Sequence, residues 1–207
     1  MELTEALRRR RMVRSFEDRS IPAAVLDGVL DAAFRAPSAG FSQGTELVVL
    51  EGAQETAGFW AAVTEEDWRL AHPRHQATRR APVVVVPLAD PDAYLRRYSE
   101  PDKAGSGLGS APDKWPVPYW QIDTAFAVMA MLLAAADRGL GALFMGIFRG
   151  EADLRRRLRV PARLQLIGAV VLGWPAPDDV PSASVARGRR PRAEVLHRGS
   201  YGPDSPG

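Results

Sequence analysis

The spacing of apolar and polar positions changes several times along the chain, and each change predicts an element. A short helix is predicted from about Thr4, as its N-cap, to about Arg11. A second follows Ser20 as cap, with Pro22 near its first turn and Pro37 as its stop. Leu26, Leu30 and Ala33 fall on one face of it, with Val25 and Val29 beside them. Leu47 to Leu50 is rich in β-formers and predicts a strand over Glu46 to Glu51. Ala53 to Leu70 reads as a loosely specified helix. Val83 to Val86 is an unbroken β-branched run and predicts a strand buried on both faces.

The second half of the chain continues in the same way. Asp90 to Tyr98 predicts a short helix, and Ser99 to Pro118, rich in Gly, Ser, Pro and charge, a long loop of the functional or mobile kind. Trp120 to Arg138 predicts a central helix, apolar on all sides through Ala125 to Ala136 and closed by Gly139. Strands over Ala142 to Ile147 and Leu166 to Leu172 flank a helix from Glu151 to Arg159. Beyond Trp174 the chain turns Pro- and Ala-rich and keeps no period, so it predicts an arm that frays or drapes over a partner surface. The expectation is one α+β domain, residues 1–175, with a C-terminal extension of the same domain, residues 176–207.

Composition narrows the chemistry. The chain has no cysteine, which excludes disulfides, thiolate metal sites and a cysteine nucleophile. Redox chemistry would need a borrowed cofactor. His72 and His75 are separated by Pro73 and lack companion carboxylates, so no metal site is expected. Neither a GxSxG elbow nor a Walker A loop is present. The glycines at 105, 107 and 109 neither follow a strand nor open a helix, which argues against a dinucleotide fingerprint. The start of the chain has no apolar leader pattern, and the apolar run between Asp123 and Asp137 is short for a membrane span, so a cytoplasmic protein is expected.

The formal net charge is only +2, and its distribution tells more than its sum. Arg8, Arg9, Arg10, Arg11 and Arg14 crowd the beginning, and Arg187, Arg189, Arg190 and Arg192 crowd the end. Guanidinium groups recognise phosphate through several fixed donors. The two clusters suit one shared anion; a solvated face or a nucleic-acid patch is the plainer alternative. The near-neutral balance and the lack of aromatics within the Arg run argue against nucleic acid.

Three segments in order then change the picture. They are Arg10-Arg11-Met12-Val13-Arg14-Ser15-Phe16, Ala36-Pro37-Ser38-Ala39-Gly40-Phe41-Ser42-Gln43 before a strand, and an apolar helix from Asp123 ending Ala135-Ala136-Asp137-Arg138-Gly139-Leu140-Gly141. Together, from about Arg8 to about Pro191, they resemble the FMN-dependent nitroreductase family, with its RRSxRxF-like opening, APSxxNxQPW-like turn and LAAxxxGLG helix. The resemblance implies a central, mostly antiparallel sheet flanked by helices, and a homodimer whose C-terminal arm wraps the partner subunit. It implies hydride transfer from NAD(P)H by way of FMN to a small electrophilic acceptor of the nitroaromatic, quinone or enone type. A flavin-binding protein without turnover is the alternative.

The same resemblance assigns roles. Arg10, Arg11, Met12 and Arg14 would hold the phosphate and ribityl chain, and Arg187 and Arg189 would close over the phosphate. Pro37, Ser38 and Ala39 would pack on the ring from the partner subunit, with Gln43 near the site. Gly146 would offer backbone amide beside the flavin N5 atom. Phe41, Trp115, Tyr119 and Trp120 are candidates for substrate contact, the last three as aromatics at the end of the long loop. No catalytic side chain is implied, since the flavin carries the chemistry. The chain departs from the pattern at Met12, where Ser is common, at Phe41, where Asn is usual, and at Gly44-Thr45 in place of Pro-Trp.

Overall fold

The β-branched run at the middle of the chain becomes the centre of the sheet. A computed structural model describes residues 1–64 and 73–202. Its strands are β1 (Thr45–Glu51), β2 (Val83–Ala89), β3 (Gly141–Met145), β4 (Gln165–Leu166) and β5 (Ala169–Gly173). They lie in the order β1-β2-β5-β3, with β4 also on β2, and every pairing is antiparallel. Val83 and Val85 face one core with Leu26, Val29 and Met131. Val84 and Val86 face a second core with Phe59, Trp60 and Leu154. Burying each of these valines contributes about 1.5–3 kcal/mol relative to exposure, which is why the run has no polar member.

Helices cover both faces. They are α1 (Leu3–Arg9), α2 (Ala23–Ala33), α3 (Gly52–Val63), α4 (Pro73–Thr78), α5 (Pro91–Tyr98), α6 (Tyr119–Asp137), α7 (Glu151–Leu158) and a single turn, α8 (Arg192–Val195). In α2 the buried positions Leu26, Val29 and Ala33 repeat at helical spacing and pack with α6 over the first core. Asp90 caps α5 by accepting from the Asp92 backbone N–H.

Several boundaries differ from expectation. The first helix stops at Arg9, because Arg10 turns to ψ 120° and Met12 pairs with Ala142 of β3 in a parallel bridge. Arg10 and Arg14 therefore do not converge as one helical turn. Thr4 is not its cap, since the N-cap position is Glu2, and Pro22 rather than Ser20 stands at the N-cap of α2. The helix expected over Ala53 to Leu70 is described as far as Val63; the rest of that prediction, with His72 and the His75 side chain, falls outside the described residues. The strand at Val83 runs on through Pro87 to Ala89. Pro87 has no N–H to offer the next strand. There the neighbouring chain breaks into β4 and β5 at Ile167-Gly168, Gly168 takes φ 145°, and Ile167 donates to the Pro87 carbonyl. The strand from Ala142 likewise begins at Gly141 and ends at Met145.

α6 is central but is covered on one side only. Asp123, Thr124, Ala127, Val128, Met131, Leu132 and Ala135 are buried, whereas Ala125, Phe126 and Met129 remain exposed. By length and composition alone α6 could cross a membrane, yet its inner face packs on α2 and the sheet. Beyond the Trp174-Pro175 corner the chain is largely exposed through residue 201.

Candidate functional site

The basic opening segment lies along the edge of β3. Val13 donates its N–H to the Ala142 carbonyl at 3.0 Å, and the Met12 sulfur accepts from the Phe144 N–H at 3.5 Å. Gly141 permits this approach, since an added Cβ would stand 2.9 Å from the Val13 side chain. The Met12 side chain, where the family commonly has Ser, thus serves the packing of this segment on the sheet. At the far end of β3 the chain reaches Gly146, whose open side is covered by the exposed ring of Phe148. Guanidinium groups and a glycine backbone therefore share one edge of the sheet.

The arginines of this segment are not equivalent. Arg8 and Arg9 pair with Glu5, and Arg11 pairs with Asp179. Among the described residues neither Arg10 nor Arg14 pairs with a carboxylate; one Arg14 Nη donates to the Met12 carbonyl at 3.2 Å. A cleft of about 170 Å³ lies against this segment, lined in part by Arg10, Arg11, Val13, Leu132, Gly141 and Pro175 but not by Arg14. Arg187 and Arg189 lie exposed at and beyond a 3₁₀ turn over Ala183–Arg187 and do not line that cleft within one chain.

The turn at Pro37 to Gln43 is held in an uncommon shape. Gly40, Phe41 and Gln43 have φ of 60°, 57° and 51°, and for the two non-glycine residues this left-handed backbone is strained. The restraints are visible. Asp123, on the inner face of α6, accepts from the Ala39 N–H at 2.8 Å and from the Tyr94 hydroxyl at 2.7 Å. Arg97 Nε donates to the Gly40 carbonyl at 2.8 Å, and Ser38 Oγ accepts from the Gln43 N–H at 3.0 Å. Pro37 and Gln43 are exposed, Ser38 and Ala39 half-buried, and the Phe41 ring is 73 % exposed. Burial, and then the bond to Asp123, push the Tyr94 hydroxyl above the ordinary tyrosine range, so it stays protonated as a donor.

The long loop is built around its aromatics. Trp115 is buried against Tyr98, Tyr94 and Trp120, with ring centroids 4.6, 5.8 and 6.1 Å away, and its indole N–H donates to the Leu108 carbonyl at 2.9 Å. Trp120 is also buried and donates to Gln165 Oε1 at 2.9 Å. These two rings anchor the loop to β4 and α5. Tyr119 and Phe41 are the members of the aromatic set with open surface.

Asp123, Tyr94, Arg97 and Asp179 escaped the sequence reading as site residues. A lone carboxylate inside the apolar run of α6 was the available signal for Asp123. Acidic residues in a tail opposite an Arg-rich opening were the only signal for Asp179.

A mostly antiparallel sheet between two helical layers, edged by a phosphate-competent arginine segment, is the architecture of a nitroreductase-type oxidoreductase. The Nitroreductase family model matches residues 7–174, and the chain belongs to that family. Members of this family depend on FMN and draw electrons from NAD(P)H. A Methanothermobacter thermautotrophicus relative, named for NADH dehydrogenase/NAD(P)H nitroreductase activity, is 27% identical over 85% of this chain and 78% of its own length. The 5,6-dimethylbenzimidazole synthase of Rhodobacter capsulatus is 30% identical over 86% of each. A nitroreductase-type structure from Desulfovibrio desulfuricans in complex with FMN superposes with a TM-score of 0.68 at 26% identity, over 98% of this chain and 99% of that one.

The residues present fit such a cofactor. Among the described residues Arg10 and Arg14 have no carboxylate partner, and guanidinium donors of this kind suit a phosphate; the glycine end of β3 lies at the same edge of the sheet.

Proposed function

We propose that this chain binds FMN at the edge of β3 and passes reducing equivalents from NAD(P)H to a small electrophilic acceptor in the cytoplasm. The observation that carries the reading is the division of labour in the opening segment. Among the described residues, three of its five arginines are paired with carboxylates, while Arg10 and Arg14 keep their charge for an external anion. In this reading Arg10 and Arg14 hold the phosphate, Met12 and Arg11 shape the segment, and Gly146 lends backbone to the ring. FMN, when bound, supplies the hydride chemistry, so no nucleophile or acid is asked of a chain without cysteine.

The partner subunit completes the site. The exposed apolar side of α6 at Ala125, Phe126 and Met129, and the exposed Phe34 and Phe41, give a second copy a surface to cover. Pro37, Ser38 and Ala39 then reach the partner's flavin, and Arg187 and Arg189 on the arm reach a phosphate. Phe41 and Tyr119 meet the acceptor, and an aromatic nitro compound, quinone or enone suits their flat rings.

The test is the visible spectrum of the purified protein, loaded with FMN and kept free of oxygen, before and after NADH or NADPH. Flavin absorbance that bleaches with either donor, and returns on adding a quinone or nitroarene, is expected. Failure to retain FMN overturns the reading. Bound flavin that neither donor reduces favours a protein that stores FMN without turnover. Formation of 5,6-dimethylbenzimidazole would favour the activity for which the Rhodobacter relative is named, a reading supported by its 30% identity.

A further inference from the structure

Asp179 enters the reading above only as the partner of Arg11, but its geometry is that of a keystone. It lies beyond β5, at the root of the arm, with its side chain only 1% exposed. One carboxylate oxygen accepts from the backbone N–H groups of both Arg14 and Ser15, each at 2.9 Å. The other is paired with the Arg11 guanidinium. Asp178 next to it accepts from the Ser15 hydroxyl at 2.7 Å, and that hydroxyl in turn accepts from Arg80 at 3.1 Å. The Ala176 N–H donates to the Ser15 carbonyl at 3.0 Å. The start of the arm and the basic segment are thus laced together within one chain.

A buried carboxylate beside an anion site repels the anion unless a cation neutralises it. Arg11 does so here. The pair is electrically quiet, and what remains of Asp179 toward the site is its grip on the backbone at Arg14. We propose that Asp179 is a positioning residue for the phosphate-binding segment. It fixes the turn that carries Arg14, consumes the charge of Arg11, and leaves Arg10 and Arg14 to the phosphate. The inference rests on the reading that this segment holds FMN.

The test uses full-length protein stripped of flavin, with FMN affinity followed by flavin fluorescence. Asp179→Ala should weaken FMN binding about tenfold or more, because two backbone donors lose their acceptor. Asp179→Asn keeps an acceptor oxygen and should stay within about threefold of the parent. Arg11→Met leaves the Asp179 carboxylate unneutralised beside the site and should lose about tenfold or more, as should Arg14→Met, whereas Arg11→Met combined with Asp179→Asn removes both charges and should recover most of that loss. Trypsin should cut the arm near Arg187 faster in Asp179→Ala, as read by mass spectrometry of the fragments. Circular dichroism establishes that each variant is folded. If Asp179→Ala does not fold, the comparison of Arg11→Met with the Arg11→Met, Asp179→Asn double variant decides, and equal losses in those two overturn the proposal. Unchanged FMN affinity in a folded Asp179→Ala also overturns it. A parent protein that binds no FMN overturns the functional reading instead.

Discussion

The buried carboxylate of Asp123 is tolerable because Ala39 and Tyr94 both donate to it. Tyr94→Phe removes one donor and should cost about 1–3 kcal/mol at neutral pH, as measured by urea titration. The sign of the pH effect follows from the raised pKa of Tyr94. Its contribution is intact below about pH 10, the ordinary tyrosine value of the unfolded chain, and is lost as pH rises toward the folded value. The parent should therefore lose stability above about pH 10 more steeply than Tyr94→Phe; equal slopes would contradict the assignment. The arginines of the opening segment were legible in the sequence as residues that suit a phosphate. The buried carboxylates were not, because Asp123 and Asp179 act across separations of 84 and 165 residues, and no local pattern encodes such pairings.

Elements followed from periodicity wherever burial alone sets it. The valine run of β2 and the leucine and valine face of α2 are of this kind. Periodicity failed where a distant strand overrode local preference. Arg and Met favour helix, yet residues 10–14 are drawn out along β3 instead. The break between β4 and β5 answers to Pro87, which belongs to another strand. The loop before α6, expected to be functional or mobile, is organised around one indole. Trp115→Ala should destabilise the protein by about 3–5 kcal/mol in a denaturant titration, through loss of its ring contacts and its bond to Leu108. A cost within about 0.5 kcal/mol would mean that the loop holds without it.

At the scale of the molecule, one chain leaves α6 half covered and its arm exposed. Phe126→Glu should therefore yield a monomer by light scattering and release most of the FMN, because a charge is placed in an apolar contact. A monomeric species that still holds flavin would remove the partner from the site. The bridges from Met12 to Ala142 and from Phe16 to Pro175 have a consequence for biosynthesis. The basic segment leaves the ribosome well before the strand it docks on, the corner it pairs with and the aspartate that clamps it. The proposed phosphate cradle therefore cannot assemble before the root of the arm has emerged, and cofactor capture there would wait on that stretch of synthesis.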